Sequence, residues 1–414
     1  MSDGRLYLWL LSSTTTNQLL YSWAGSWEFL FNQRFPASRF PRDIAEDASP
    51  AKTELQTSGV NMNFVKFHEG EYFSRIAGAK IRQIDLVTPT FLPAFSSFGD
   101  RFIASRLEAV LPHIPQSVAL ISALDVHLLR NALVPDGRTV LQVLHASERT
   151  KLLYCDSGGY EAQYRKDVDW STELYNSAVR DLQPDFAVAF DKIPGIGESQ
   201  EISLQFDKAL ETLDAHRGLR GRVVLIHLPL KTHNRARELA EIAEDRSSQF
   251  DILGVPEKEV GINVVDRCRF LIGMSSEFRR RGIDKPIHVF GCNDFDAILL
   301  YVASGAEIFD GLSWFRNCLS LSPTRMMEAG MLPLLACNCA FCLDANWGTI
   351  DPDEYGLRLS MHNLTKFSEW MAMINSAIRT GNLGGLLKQR KLQRLSRALF
   401  KKVDVKINQS GRGA

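Results

Sequence analysis

From about Met62 onward the chain alternates between two kinds of stretch. Short apolar runs rich in β-branched residues recur as "LVTPTFLPAF" (86–95), "VALISALD" (118–125), "KLLYCDSGG" (151–159), "DFAVAFD" (185–191), "RVVLIHLP" (222–229), "FDILGVP" (250–256), "PIHVFGC" (286–292) and "EIFDGLSW" (307–314). Between them lie amphipathic stretches such as "SLQFDKALETLDAHRG" (203–218) and "NRARELAEIAEDRSS" (234–248), with apolar positions spaced by three and four as on one face of a helix. Eight buried-type strands, each followed by a helical stretch, predict an α/β fold of the (β/α)8 barrel type. A doubly wound open sheet would alternate in the same way, but the count of eight and the lack of GxGxxG after the first strand favour the barrel. Residues 1–61 show no sustained period and end in a Ser/Pro/Thr-rich stretch, so they read as a poorly ordered extension, with Met62 as a candidate true start.

Composition narrows the picture little. Lys and Arg balance Asp and Glu at zero net charge, so no global field draws the chain to nucleic acid or membrane, and polyanion contacts must be local. The early run "LYLWLL" is too short to span a bilayer and lacks the flanks of a signal peptide. Seven cysteines, three of them clustered, do not form a disulfide framework. Together these predict a cytoplasmic protein with no membrane partner.

In a barrel of this kind, reactive groups stand at the C-terminal ends of strands. Asp125, Asp156, Asp191 and Asp310 occupy such positions. One such aspartate is ordinarily a helix N-cap. Four facing one mouth imply that at least two do chemistry.

Cys337, Cys339 and Cys342 lie within six positions, close enough to share a tetrahedral ion. The nearest fourth ligand is His362, with Cys318 as competitor. A closed four-ligand set leaves no open position, so the expected ion is one structural zinc.

CxCxxC followed by histidine in "HNL", after eight strands, resembles the tRNA-guanine transglycosylase family. "CDSGGY" (155–160) is similar to that family's DSGGF segment, "AVAFDK" (187–192) to its FDE-type strand end, and "EIFDGLSWFR" (307–316) to its FDxxxPTR segment. "TPTFLPAF" (88–95) and "SALDVHLLR" (122–130) match its first two strands, and the likeness runs in order from about Met62 to Leu383. It implies a barrel over 62–330, a zinc-binding subdomain closing it over 331–384, and a separate basic tail over 385–414.

The implied activity is base exchange: the N-glycosidic bond of a guanosine breaks, the sugar is held covalently, and a 7-deazaguanine base is attached. By the matched motifs Asp310 is the nucleophile and Asp156 the general acid/base. Asp191 would accept from the adjacent donors of guanine. Ser157, Gly158, Gly159, Gly254 and Val255 would complete the base pocket, with Tyr160 or Phe95 as stacking candidates.

Three departures stand out. The fifth strand lacks the family's glutamine, leaving His227 or Lys231 to replace it; the sixth reads "LGVPEKEVG"; and Trp314-Phe315 replace Pro-Thr before the retained Arg316. Trp314 and Arg316 are the expected nucleic-acid contacts. These changes look more similar to the divergent bacterial branch that inserts 7-deazaguanines into DNA (DpdA-like) than to the tRNA enzymes, so DNA is the expected polymer and tRNA the alternative. Accessory proteins that open the duplex, a homodimer, or service as a non-catalytic subunit are further implications, though retention of both aspartates argues against the last. The tail "KQRKLQRLSRALFKKVDVK" (388–406) places Leu392, Leu395 and Leu399 on one helical face; it either tracks phosphates or rests on the barrel. "FRRRG" (278–282) precedes the seventh strand and is expected at the barrel's far end.

Overall fold

The computed structural model describes Met62 and residues 64–410, except 98–102, 149, 166–167, 192–200, 217, 229–234 and 322–323, with side chains described as far as Lys401. The expected N-terminal extension lies outside the described residues. Three strands come first, β1 (Val65–Glu69), β2 (Arg75–Ile81) and β3 (Ile84–Thr88), paired antiparallel in that order. Eight parallel strands then close a barrel: β4 (Thr90–Phe95), β5 (Val118–Ser122), β6 (Leu152–Asp156), β7 (Phe186–Val188), β8 (Gly221–Leu225), β9 (Ile252–Pro256), β10 (Ile287–Phe290) and β11 (Ile308–Gly311), with β11 pairing back onto β4. A hairpin, β12 (Asn317–Leu321) and β13 (Thr324–Glu328), follows.

All eight runs read from the pattern supply barrel strands. The run 86–95 divides in two, because Pro89 has no N–H to continue a ladder: Thr88 ends β3 and Thr90 begins β4, its N–H bonded to the Glu307 carbonyl at 2.9 Å.

Period-two alternation sorts the strand side chains into two cores. Leu92, Leu120, Leu152, Tyr154, Phe186, Val188, Val223, Leu225, Ile252 and Ile308 point into the barrel, where Ala77, Ile81 and Leu86 of the antiparallel sheet meet them. That sheet therefore plugs the N-terminal end, a role the sequence pattern did not reveal. Arg75 and Thr88 fasten it to the buried Glu307 at 2.7 and 2.9 Å. The opposite strand faces, including Leu153, Val224 and Val255, pack against the helices.

The ring's eighth helical position is filled by the 28-residue helix Pro352–Arg379. Its Phe367 stacks on Phe91 of β4 at 3.7 Å between ring centroids, and Trp370 donates to the Phe295 carbonyl at 3.0 Å. The helix read as part of the zinc-binding subdomain that closes the barrel packs in the barrel wall itself. Over its described part the tail lays the expected leucine face, Leu392, Leu395 and Leu399, on the helical layer, and the Phe400 ring centroid lies 4.5 Å from that of Tyr72. Arg279 reaches the Tyr72 carbonyl, so this contact lies at the N-terminal end of the barrel, where "FRRRG" was expected and is found. No helix among the described residues is long and apolar enough to cross a membrane.

Candidate active site and candidate metal centre

Asp156 and Asp310 are the last inward-facing positions of β6 and β11, two residues beyond Tyr154 and Ile308 of the barrel core. Asp310 is buried and takes two hydrogen bonds on the same oxygen: Oδ1 accepts from His288 Nε2 at 3.1 Å and from the Gly291 N–H at 2.9 Å. Behind His288, its Nδ1 lies 2.9 Å from the Tyr154 hydroxyl. Burial, with the nearby Asp310 and Asp156 charges, pushes the Tyr154 phenol well above its ordinary range, while burial pulls His288 down against the attraction of Asp310.

Asp156 is in the opposite condition. Burial, and then the charges of Glu161, Asp191 and Asp310, push its carboxyl well above the usual carboxylate range. Two carboxyl groups at one mouth are therefore differentiated, one favoured as the acid and the other held by donors.

The loop after β6 is shaped for close approach. Gly158 has φ +80°, and a Cβ there would come within 2.8 Å of the Leu124 side chain. A Cβ on Gly159 would sit 2.7 Å from Asp191 Oδ1. Ser157 is buried and its hydroxyl accepts from the Gly159 N–H at 3.2 Å. Asp191 follows β7; its Oδ2 pairs with His227 Nε2 at 2.6 Å, while its buried Oδ1 has no partner among the described residues. His227 also holds Glu259 through Nδ1 at 2.8 Å, and the second Glu259 oxygen accepts from the Leu228 N–H. Burial alone would lower the His227 pKa, but bonds to two carboxylates hold it up at about 10. The departure from the family's glutamine thus places an imidazolium between Asp191 and Glu259. Lys231, the other replacement considered, lies outside the described residues.

Glu161 was not read from the sequence. It lies on the short helix Gly159–Tyr164, where nothing in the local pattern sets it apart from a surface acid. Ser96 donates to its Oε1 at 2.7 Å, Oε2 is buried without a partner among the described residues, and burial followed by Asp125 raises it to about 7. Asp125 is itself buried and bonded to the Ser97 N–H at 2.7 Å. Glu259, in the polar segment after β9, escaped notice for the same reason, whereas His288 and Tyr154 sit within strands, where core-type spacing conceals polar function.

Several expected contacts are placed elsewhere. Trp314 is fully buried; its Nε1 donates to the Ala94 carbonyl at 3.0 Å and its ring meets Phe95 at 5.0 Å. It cannot wedge flanking bases from inside the wall, which corrects the expected nucleic-acid contact and also makes Phe95 a packing residue. Arg316 is exposed, with its guanidinium 5.4 Å from the Phe315 ring centroid. The Gly254 carbonyl is used by the Ile226 N–H, a Gly254 Cβ would strike the Phe290 ring, and Val255 packs outward. Val255 therefore faces the helical layer rather than the barrel mouth, and the Gly254 carbonyl is already engaged. Tyr160 is exposed at 39%.

On the barrel's flank Cys337, Cys339, Cys342 and His362 bring four ligand atoms within 4.8 Å of one another. The three sulfurs lie 3.4, 3.5 and 3.3 Å from His362 Nδ1. Tetrahedral geometry with ordinary zinc–sulfur and zinc–nitrogen lengths sets that edge at about 3.5 Å. His362 Nε2 donates to the Leu319 carbonyl at 2.7 Å, which fixes the tautomer and leaves Nδ1 its lone pair. The cluster fits a metal ion such as zinc. Cys318, the competing ligand, is not among the four; it lies on β12 rather than in a barrel helix.

No family model matches the chain. It is similar to curated proteins named tRNA-guanine(15) transglycosylase: 24% identical to that of Haloferax volcanii over 78% of this chain and 64% of the relative, and 23% identical to that of Sulfolobus acidocaldarius over 58% and 51%. That of Pyrococcus abyssi is 28% identical over 26% of this chain and 19% of the relative. The chain spans less than two thirds of the length of these relatives. The similarity supports a relationship to the tRNA-guanine transglycosylase superfamily.

Proposed function

We propose that the protein exchanges guanine in a polynucleotide for a 7-deazaguanine base through a covalent glycosyl-aspartate. The observation that carries this is the contrast at one barrel mouth between Asp310, whose carboxylate is fixed by donors, and Asp156, whose burial and acidic neighbours favour the protonated form. Asp310 Oδ2 forms a bond to C1′ as the C1′–N9 bond breaks, and the departing base takes its proton from Asp156. In the second half the incoming base attacks C1′, the electron pair returns to Asp310, and the base's proton passes to Asp156. Asp191 Oδ1, which no described residue bonds, would accept from a base N–H. Cys337, Cys339, Cys342 and His362 would hold one structural zinc.

The test is a denaturing gel after incubation with polynucleotide. A covalent adduct is expected, absent in Asp310→Asn and slow to form in Asp156→Asn. An adduct undiminished in Asp310→Asn would assign the nucleophile elsewhere.

For the polymer, DNA remains the proposal that follows from the altered base-pocket segments around His227 and Glu259, with the target base flipped out or already single-stranded. The buried Trp314 removes one of the reasons for it. The tRNA reading has its own support, since the named relatives are tRNA enzymes. Nucleoside mass spectrometry of DNA and tRNA from cells with and without the gene separates the two: modified base in tRNA alone overturns the DNA reading.

A further inference from the structure

A fully buried imidazole is costly in a barrel core unless both nitrogens are satisfied, and His288 satisfies both. The directions of its bonds follow from chemistry. Asp310 Oδ1 can only accept, so the proton is on Nε2; Nδ1 therefore accepts, and the Tyr154 hydroxyl donates to it. Tyr154 is itself locked, stacked on Phe186 at 5.3 Å between centroids. On the other side Phe290 stacks on His288 at 3.7 Å. The Gly291 N–H supplies a second donor to the same oxygen, and nothing among the described residues bonds Oδ2.

Resting on the reading of Asp310 as nucleophile, we infer that His288, backed by Tyr154, is a positioning residue. It holds Asp310 so that Oδ2 faces the sugar, and it stabilises Oδ1 as the ester breaks. The two half-reactions weigh these effects differently. When Oδ2 bonds C1′, Oδ1 becomes the ester carbonyl and loses charge, so donors on it assist little beyond orientation. When the incoming base displaces the sugar, negative charge returns to the carboxylate, and the same donors stabilise the leaving group. No proton leaves His288 in either direction. Its principal effect is on breakdown of the intermediate.

The experiment measures adduct lifetime after a chase with free guanine, on whichever polymer yields the adduct. His288→Phe keeps ring shape but removes the donor, and breakdown should slow by about 10- to 100-fold. Tyr154→Phe should slow it less, because it acts through the imidazole. His288→Gln, which can still donate, should restore part of the rate. General loss of structure would instead lower adduct formation without lengthening its life. Lifetimes within about twofold of the parent in folded His288→Phe overturn the inference. Should that variant not fold, Tyr154→Phe decides by the same measure. An adduct that never forms, or forms without Asp310, fails the earlier reading itself and takes this one with it.

Discussion

Asp156 carries a raised carboxyl pKa because the barrel mouth is crowded with acids, and that crowding can be relieved one residue at a time. After burial, Glu161 is the largest contributor. If protonated Asp156 delivers a proton to the leaving base, adduct formation should fall as pH rises through its pKa. Glu161→Gln should move that fall to lower pH; an unmoved profile would place the acid elsewhere. His227 offers a second titration, with a raised folded-state pKa. Its stabilising contribution is complete below about pH 6.5 and is lost as pH rises toward about 10. His227→Gln should accordingly cost most at about pH 6 to 6.5, on the order of 3 kcal/mol for breaking a buried charge pair. The gap in unfolding free energy should narrow steadily between pH 7 and about pH 10. A constant gap would mean that hydrogen-bond shape, rather than charge, is what His227 supplies.

Elements place these residues, and the elements are where reading the sequence succeeded most and failed most instructively. Barrel strands were legible because each is buried on both faces and reads as a compact apolar run between helices. Four aspartates after such runs were legible because a charge closing an apolar run breaks its pattern, and the resemblance of the motifs singled out Asp156 and Asp310 among them. The antiparallel plug β1–β3 was not, since its exposed edge strand, "VKFHE", has no apolar alternation strong enough to announce it. Asn363 was hidden inside the "HNL" resemblance. Its amide donates to the Trp314 carbonyl at 2.8 Å and its oxygen accepts from the Leu319 N–H at 2.9 Å. It therefore bolts the long helix to the segment just after Asp310. Asn363→Ala would orphan buried groups on both sides at about 1–3 kcal/mol each, with a matching loss of urea stability. Gly159→Ala tests the other loop: its methyl would press on both the side chain and the backbone carbonyl of Asp191, so affinity for free guanine should fall together with the melting temperature. Unchanged affinity would remove Asp191 from the base pocket.

At the scale of the whole molecule the metal cluster and the barrel are one construction. His362 and Asn363 are neighbours on the helix that fills the eighth position of the ring, and Leu319 on β12 bonds to both of them. An ion in the cluster would thus fix a hairpin, a cysteine loop and the barrel's last helix to one point. It would act on the site only by holding the chain that follows Asp310. Withdrawing it should loosen the start of that helix first, because its ties there, Tyr355 to the Ala329 carbonyl and Arg358 to the Phe341 carbonyl, run to the cysteine segment itself, whereas Arg106–Ser360 and Gln116–Leu364 hold its middle to the barrel. The purified protein should carry about one zinc per chain, and Cys339→Ser or His362→Ala should lower that content. Chelation should speed hydrogen exchange across Pro352–Phe367 and in β12, while β5–β9, closed on one another at the far side of the barrel, stay protected. Uniform loss of protection would mean the whole barrel depends on the ion. No change on complete removal would mean that the four ligands brace nothing.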